Sequence, residues 1–559
     1  MRKSGALLIL ALLAAPAYSQ DSADLQVAVQ CSNQLAMDLY RHFSKEEGNL
    51  FFSPYSISCA LGLAYAGARR QTAKQIAAAL HLTAKDEELH AGYAEFQAAL
   101  QAIQKKGKIQ LAMANSLWPQ QKYPLLAEFL QVASSSYRAE VNPVDYAADA
   151  EMARVRINSW VEEKTSKRIS NILPEAPGKA TRLFLANAIY FKGSWVSKFE
   201  ESATQDMPFH PKAEESTGTA MMHQTCDLKY GESEILQLLE MPYSGNQLSM
   251  LIVLPREIDD LKKVEGALTA DKLAEWSGRL AERPVDLYLP RFQMSFEADL
   301  KGTLQALGLR DAFERGRADF SGIDGRRRWL YIGMVAHEAF VEVNEEGAEA
   351  AAATVGGGCF AAGTVVVTPD GPRAIQQVEK GMKVFAFDLN AGQWLPAKVR
   401  DRLSSPHEGG LLEVRAGQVA IQATGNHPFY VMSGEGLERR PAPREVSVEE
   451  QRAARTGRWV QARDLQVGDV LMSQIGERLS VTGLASRQAK STVYNLDVEG
   501  FRNYAVSLKG LLVHNKGGVE RSPVLFRADH PFLFLIRENT AGSILFMGRL
   551  RDPSAEVRR

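Results

Sequence analysis

The sequence predicts an α+β body interrupted near its C-terminal end by an all-β module. Three observations carry this. From Leu25 to about Leu82 apolar residues recur at helical spacing; the chain then turns to long, bulky strands; and from Cys359 to Asn515 it breaks into short β-type runs divided by Gly, Pro and Asp. Helices and strands mixed in this way, without strict alternation, argue against a doubly wound sheet. A length of 559 residues leaves room for several domains. The chain is 45% hydrophobic and 23% charged, which are globular values, and its net charge of −1 excludes a general pull toward nucleic acid or an anionic membrane.

Taken in order, Arg2 and Lys3 precede an apolar run from Ala6 to Pro16 and small residues at Ala17 and Ser19, the arrangement of a secretory signal. Cleavage is expected after Ser19, with Ala17 the alternative site, so residues 1–19 are expected to leave an exported protein, extracellular or periplasmic. No later stretch is long and apolar enough for a transmembrane helix. "FFSPYSISCALGLAYAG" starts a helix, with Pro54 just inside and the Ser53 and Ser56 hydroxyls available to its first N–H groups. "TRLFLANAIYFKGSW", "LSMLIVLP" and "VDLYLPRFQMSFEADL" read as strands, and "LKGTLQALGLRDAF" as a helix. Cys31, Cys59, Cys226 and Cys359 are too few and scattered for a disulfide framework and contain no CxxC pair for zinc. The first three read as small buried hydrophobes.

Four separated stretches in order, "NLFFSPYSIS", "NAIYFKGSW", "VAHEAFVEVNEEGAEAAAAT" and "FRADHPFLFLIRENTAGSILFMGRL", resemble the serpin family of serine protease inhibitors, over about residues 25–355 and 524–553. The resemblance implies a large central sheet surrounded by helices, with an exposed reactive loop between Gly347 and Pro531. It also implies a polar cluster of Ser53, Ser56, Asn187 and His337 under the point where the sheet opens, and Trp195 at its top. A satisfied core histidine is the plainer account of His337, and the two coincide.

The loop's chemistry is readable in the residues themselves. "GAEAAAAT" gains little from burial as a loop, yet Ala348, Ala350, Ala352 and Thr354 alternate, and as a strand they would face inward in a crowded sheet. With Gly347 they read as an inhibitory hinge; an inert Ala-rich linker is the alternative. In inhibitory serpins a protease cuts this loop, the hinge enters the central sheet, and the acylated protease is dragged across and distorted.

From Cys359 to Asn515 the texture changes to "TVVVTPDG", "KVFAFD", "LLEVRA", "QVAIQAT", "PFYVMS", "GDVLMS", "TVYNLDV" and "YAVSLKGLLVHN", short strands between turns. The charged "SGEGLERRPAPREVSVEEQRAARTGR" reads as a solvated, partly disordered loop. "CFAAGTVVVTPDG", "TGNHPF", "LQVGDVLM" and "VYNLDVEGFRNYAVSLKGLLVHN" resemble the Hint (hedgehog and intein) family, in the minimal form of bacterial intein-like domains, because there is no room for a homing endonuclease. The expected organisation is therefore a body of residues 20–358 and 516–559 around a module of residues 359–515.

The module's residue types suit peptide-bond rearrangement. Cys359 can attack the carbonyl of Gly358 and turn an amide into a thioester. Gly356 to Gly358 leave that carbonyl accessible. Thr424 and His427, spaced T-x-x-H, can polarise the amide and protonate its nitrogen. At the other end Asn515 can cyclise onto its own carbonyl and cut before Lys516, with His514 as proton donor. Departures from the pattern matter too. Ligation needs Cys, Ser or Thr after Asn515, and an amine protonated near neutral pH, as at Lys516, is a poor nucleophile. Asn495 stands where inteins often have Asp, and Arg502 where they often have His; Asp497, on the same strand face as Asn495, is a candidate substitute. Cleavage is expected over efficient ligation.

If the ends were joined, "GAEAAAATVGGG" would run into "KGGVERSPVLFRADH". Counting from Gly347 puts the bait bond near Gly518; counting back from Phe526 puts it near Glu520 or Arg521. Arg521 followed by Ser522 suits a trypsin-like protease, whose pocket pairs a carboxylate with Arg. The expected function is a secreted, monomeric serine protease inhibitor with a self-processing loop. The alternatives are an autoprocessing protein with a non-inhibitory body as carrier or sensor, and a binding or structural protein with a decayed insert. No cofactor, metal, nucleic-acid or membrane partner is implied. Lys105, Lys106 and Lys108, and Arg326 to Arg328, read as solvated basic faces.

Overall fold

The computed structural model describes residues 22–106, 109–346, 358–443, 446, 450–451, 457–515 and 523–554. The chain divides into two compact units, Met1–Glu349 with Leu525–Arg559, and Ala350–Val524.

In the first unit the helix Ala23–Phe43 begins where Ser22 Oγ accepts the Leu25 N–H at 3.4 Å. The helix Pro54–Gly67 begins at the expected place, Ser53 Oγ accepting the Ser56 N–H at 3.1 Å, and is buried on nearly every face. Just before it, Leu50–Phe52 is a strand paired with Ile544–Leu550. The helical pattern hid this element, because three buried apolar residues have no period of their own. "LKGTLQALGLRDAF" holds only a short helix, Lys301–Ala306: Gly308 takes φ +99° and a 3-10 turn follows at Asp311–Phe313. Cys31 and Cys59 are buried, which pushes their thiols up to about 11 and 12; Cys226 is only half-buried.

Two sheets organise this unit. A nine-stranded sheet holds Leu248–Pro255, buried along its whole length, between Leu236–Pro242 and Phe532–Glu538. A five-stranded sheet runs Phe292–Asp299, Ala336–Val343, Leu183–Gly193, Ile109–Pro119, Glu140–Val141. At its centre Ala336–Val343 and Leu183–Gly193 lie parallel, paired from Ala336↔Ala186 to Phe340↔Tyr190. Beyond that point each stays paired on its outer side, to Phe292↔Val343 and Ile109↔Gly193, but not to the other. The sheet is thus parted at the end from which residue 344 leaves.

The second unit is a twelve-stranded sheet folded around Phe360, Val414, Phe429, Leu496 and Val513. Its strands are not all short. Gln393–Ala416 and Leu479–Val498 form one long antiparallel ribbon, paired from Val399↔Val498 to Ala416↔Val481. The polar run "ASRQAKST", largely exposed, masked its continuity, since backbone pairing sustains a ribbon even where it has no apolar face. Among the described residues of the charged mid-module segment many are exposed, as expected of a solvated loop, and others are buried. Arg440 is 6% exposed, pairs with the buried Asp469 and donates from Nη2 to its Oδ1 at 2.8 Å, and Val446 is buried beside Trp459.

Candidate functional site

In the first unit the polar cluster is assembled under the paired stretch of the central strands. His337 and Asn187 are register partners. The Ser53 N–H donates to His337 Nε2 at 3.1 Å, so Nδ1 carries the proton and faces Asn187 Oδ1 at 3.3 Å. Ser56 Oγ also donates to Asn187 Oδ1, at 2.7 Å, and Asn187 Nδ2 donates to Asn115 Oδ1 at 2.7 Å and to the Ser56 carbonyl at 3.1 Å. Trp195, stacked on Tyr243 at 4.5 Å, donates from Nε1 to the Asn344 carbonyl at 3.0 Å, at the parted end. Sequence reading missed Glu345, which is buried there. Burial raises its carboxyl, but hydrogen bonds from Arg291 and Thr204 more than offset this and hold it below the usual range. The hinge residues Gly347, Ala348, Ala350, Ala352 and Thr354, and Lys516, Arg521 and Ser522, lie outside the described residues.

In the second unit the structure brings Cys359, Thr424, His427, His514 and Asn515 together by strand pairing. Phe360 sits between Ala423 and Tyr494, which sets Cys359 beside Thr424. The Cys359 N–H donates to Thr424 Oγ1 at 2.8 Å, and the Thr424 N–H returns to the Cys359 carbonyl at 2.8 Å. The other end of the Gly358–Cys359 peptide is held as well: Asn495 Nδ2 donates to the Gly358 carbonyl at 2.6 Å. Asp497, the suggested substitute, pairs across the ribbon with Asp401, and it is Asn495 itself that meets Gly358.

His427 packs on this peptide, its ring 4.0 Å from that of Phe360. A Cβ at Gly358 would lie 2.2 Å from His427 Cα, so only glycine fits. Burial drives His427 down to about 3, the Gly358 backbone opposing and His514 reinforcing the shift. The register that pairs Phe429 with Val513 carries the chain back to His427 and on to Asn515. Asn515 is anchored by its N–H on the Arg502 carbonyl at 2.9 Å and its Nδ2 on the Phe501 carbonyl at 3.0 Å. His514 packs edge-on against Trp459, with Nε2 3.5 Å from Glu450 Oε1, and Arg502 Nη1 donates to Glu450 Oε2 at 3.1 Å. Glu450 carries no local signal, being a Glu in a charged run, and the sequence marks Asn495 only as a departure from the acid that inteins often have there.

Two buried histidines give the stability a sign. His337 is also held at about 3 by burial. The unfolded imidazoles bind protons below about pH 6.5, whereas the folded ones stay neutral until about pH 3. Stability is therefore fully present above pH 6.5 and is lost as pH falls toward 3, by roughly 1.4 kcal/mol per pH unit per histidine. Urea unfolding at pH 7 and pH 5 should show a loss of about 2 kcal/mol in the second unit. In the first, Glu338, whose carboxyl burial raises to about 7, gains stability over the same interval and offsets the His337 loss, so His337→Gln should leave that unit more stable at pH 5 than at pH 7.

A five-stranded sheet parted at one end, with this polar cluster beneath it, is the arrangement that the serpin resemblance implies. The chain also carries an all-β unit in which Cys and Asn termini meet a T-x-x-H pair. The family model "Serpin (serine protease inhibitor)" matches residues 30–389 and 484–553, and the model "Pretoxin HINT domain" matches residues 447–516. The chain belongs to the serpin family and holds a Hint domain. It is 41% identical over 344 residues to Serpin B3 of Homo sapiens, covering 58% of this chain and 88% of that one. It is 42% identical over 343 residues to the leukocyte elastase inhibitor of Sus scrofa, covering 59% and 89%. Among solved structures, uncleaved ovalbumin matches with a TM-score of 0.59 at 23% identity, over 94% of this chain and all of that one. A tumour-suppressing serpin matches with a TM-score of 0.60 at 20% identity, over the same shares. These two likenesses bear on the fold alone.

Proposed function

We propose that the protein is an exported serine protease inhibitor whose reactive loop is interrupted by a self-processing Hint domain, residues 359–515. The observation that carries this is the doubly held Gly358–Cys359 peptide, its N–H on Thr424 and its carbonyl on Asn495, with His427 packed against it. Cys359 Sγ attacks the Gly358 carbonyl carbon; the C–S bond forms, the C–N bond breaks, and the thiol proton ends on the Cys359 nitrogen. A histidine held neutral by burial serves as relay for that one proton, not as a standing acid. At the far end Asn515 Nδ2 attacks its own carbonyl carbon, the bond to Lys516 breaks, and the proton goes to the leaving amine. The Phe501 carbonyl, accepting from Nδ2, raises electron density on the attacking nitrogen. With Lys516 next, no side chain takes over the acyl group; water or an added thiol attacks the thioester carbon instead, the C–S bond breaks, the proton passes to the departing Cys359 sulfur, and cleavage results.

Inhibition is supported by the parted sheet, which offers the hinge a place between Ala336–Val343 and Leu183–Gly193, and by relatives bearing the name of an elastase inhibitor. The target is a serine protease, and Arg521–Ser522 makes it trypsin-like. Intact mass of the purified protein, before and after a small thiol and then trypsin, tests this. The expected result is cleavage at Gly358 or Asn515, and a covalent trypsin complex only from chains whose loop is still continuous or has been joined, because trypsin cutting at Arg521 in a loop already open at Asn515 acylates a short peptide detached from the hinge. No complex from a continuous or joined loop would make the serpin body a carrier, and an unchanged chain would overturn the self-processing.

A further inference from the structure

Asn495 is 1% exposed within the strand Leu479–Val498, and its partners dictate which way its amide points. Oδ1 accepts from the Tyr504 hydroxyl at 2.8 Å and from the Leu496 N–H at 2.8 Å. A backbone N–H can only donate, and burial of Tyr504, reinforced by Cys359, pushes its hydroxyl well above the ordinary range, so it too keeps its proton. The one orientation that satisfies both donors turns Nδ2 toward the Gly358 carbonyl, at 2.6 Å.

We propose that Asn495 is a catalytic residue of thioester formation, the fixed donor that stabilises the oxyanion on Gly358, with Tyr504 as its positioning residue. The inference rests on the self-processing reading above. When Cys359 Sγ adds to the carbonyl carbon, negative charge collects on the oxygen that Nδ2 already touches. A donor oriented beforehand, in a site closed to water, stabilises that charge without reorganising. The amide also differs in kind from the acid expected at this position. A carboxylate there repels the oxyanion until it takes a proton, whereas an amide donates at every pH. Thioester formation in this chain therefore carries no ionisation from residue 495.

The test is thiol-dependent scission at Gly358 in the full-length protein, followed by mass from pH 5 to 9, with scission at Asn515 read in parallel. Asn495→Ala should slow scission at Gly358 on the order of 100-fold or more, with the Asn515 reaction still running. Asn495→Asp has the same shape and keeps both bonds to Oδ1. Its rate relative to wild type should climb as pH falls and the new carboxyl is protonated. Tyr504→Phe should give a smaller loss with the wild-type pH profile. If Asn495→Ala cleaves within threefold of wild type, or Asn495→Asp keeps the wild-type profile, the proposal is overturned while self-processing stands. A wild type that never cleaves at Gly358 overturns both.

Discussion

Thiol-triggered scission between Gly358 and Cys359 is expected to vanish in Cys359→Ala, falling on the order of a thousandfold or more. The remaining groups polarise a bond but cannot open it. Thr424 holds the amide N–H and Asn495 the carbonyl, so without Sγ the peptide is an ordinary amide in a closed site. The substitution is mild structurally, since Cys359 packs among Leu411 and Val493 and a smaller apolar side chain suits that company. Asn515 is anchored on Phe501 and Arg502 and does not depend on that sulfur, so release at Lys516 should persist. Mass spectrometry after incubation with a small thiol reads both events at once. Persistent thiol-dependent scission in Cys359→Ala would remove Cys359 from the reaction.

Gly358→Ala is the second large effect, and it arises from packing. The added Cβ would sit 2.2 Å from His427 Cα and 2.6 Å from Nδ1. A side chain could turn aside, but Cα is backbone and is pinned: the His427 N–H donates to the Thr424 carbonyl at 3.0 Å, and its own carbonyl accepts from Ala462 at 2.8 Å. Either the strand carrying Thr424 or the segment carrying Cys359 must move. The expected cost is about 1–3 kcal/mol of stability, together with loss of scission at Gly358, because a 1 Å displacement of reacting atoms costs on the order of 100-fold. Denaturant unfolding and the thiol assay, run on one preparation, check both. Wild-type stability with wild-type scission would show that the contact yields without cost.

Much of the body was legible in the chain, and for a local reason. Ser53 and Pro54 write a helix start into four residues, and "LSMLIVLP" announces a doubly buried strand by having no polar face. The Hint residues were legible as motifs, because Cys359, T-x-x-H and His514–Asn515 are short patterns of chemically special side chains. Leu50–Phe52 was hidden by its length, and the ribbon of Gln393–Ala416 with Leu479–Val498 by the polar run within it. Arg440 and Glu450 were hidden by their neighbours. In a run of charges nothing in the sequence distinguishes the one that meets Asp469, or His514, from those that meet water.

The members of the polar cluster came with the serpin resemblance; the sequence by itself determined the two textures of this protein and the candidate reactive residues at both ends of its module. These are properties of residue type and short spacing, where backbone period and side-chain chemistry act within a few positions. Only the tertiary structure decided which groups touch the Gly358–Cys359 peptide. Asn495 reaches Gly358 across 137 positions, and its amide is turned by Tyr504 from the next strand in the chain, Asn503–Val506, with which its own strand does not pair. The parting of the central sheet beyond Phe340 and Tyr190 was likewise decided there, by strands far apart in the chain. Such contacts are set by sheet register, which long-range pairing establishes and no local pattern encodes.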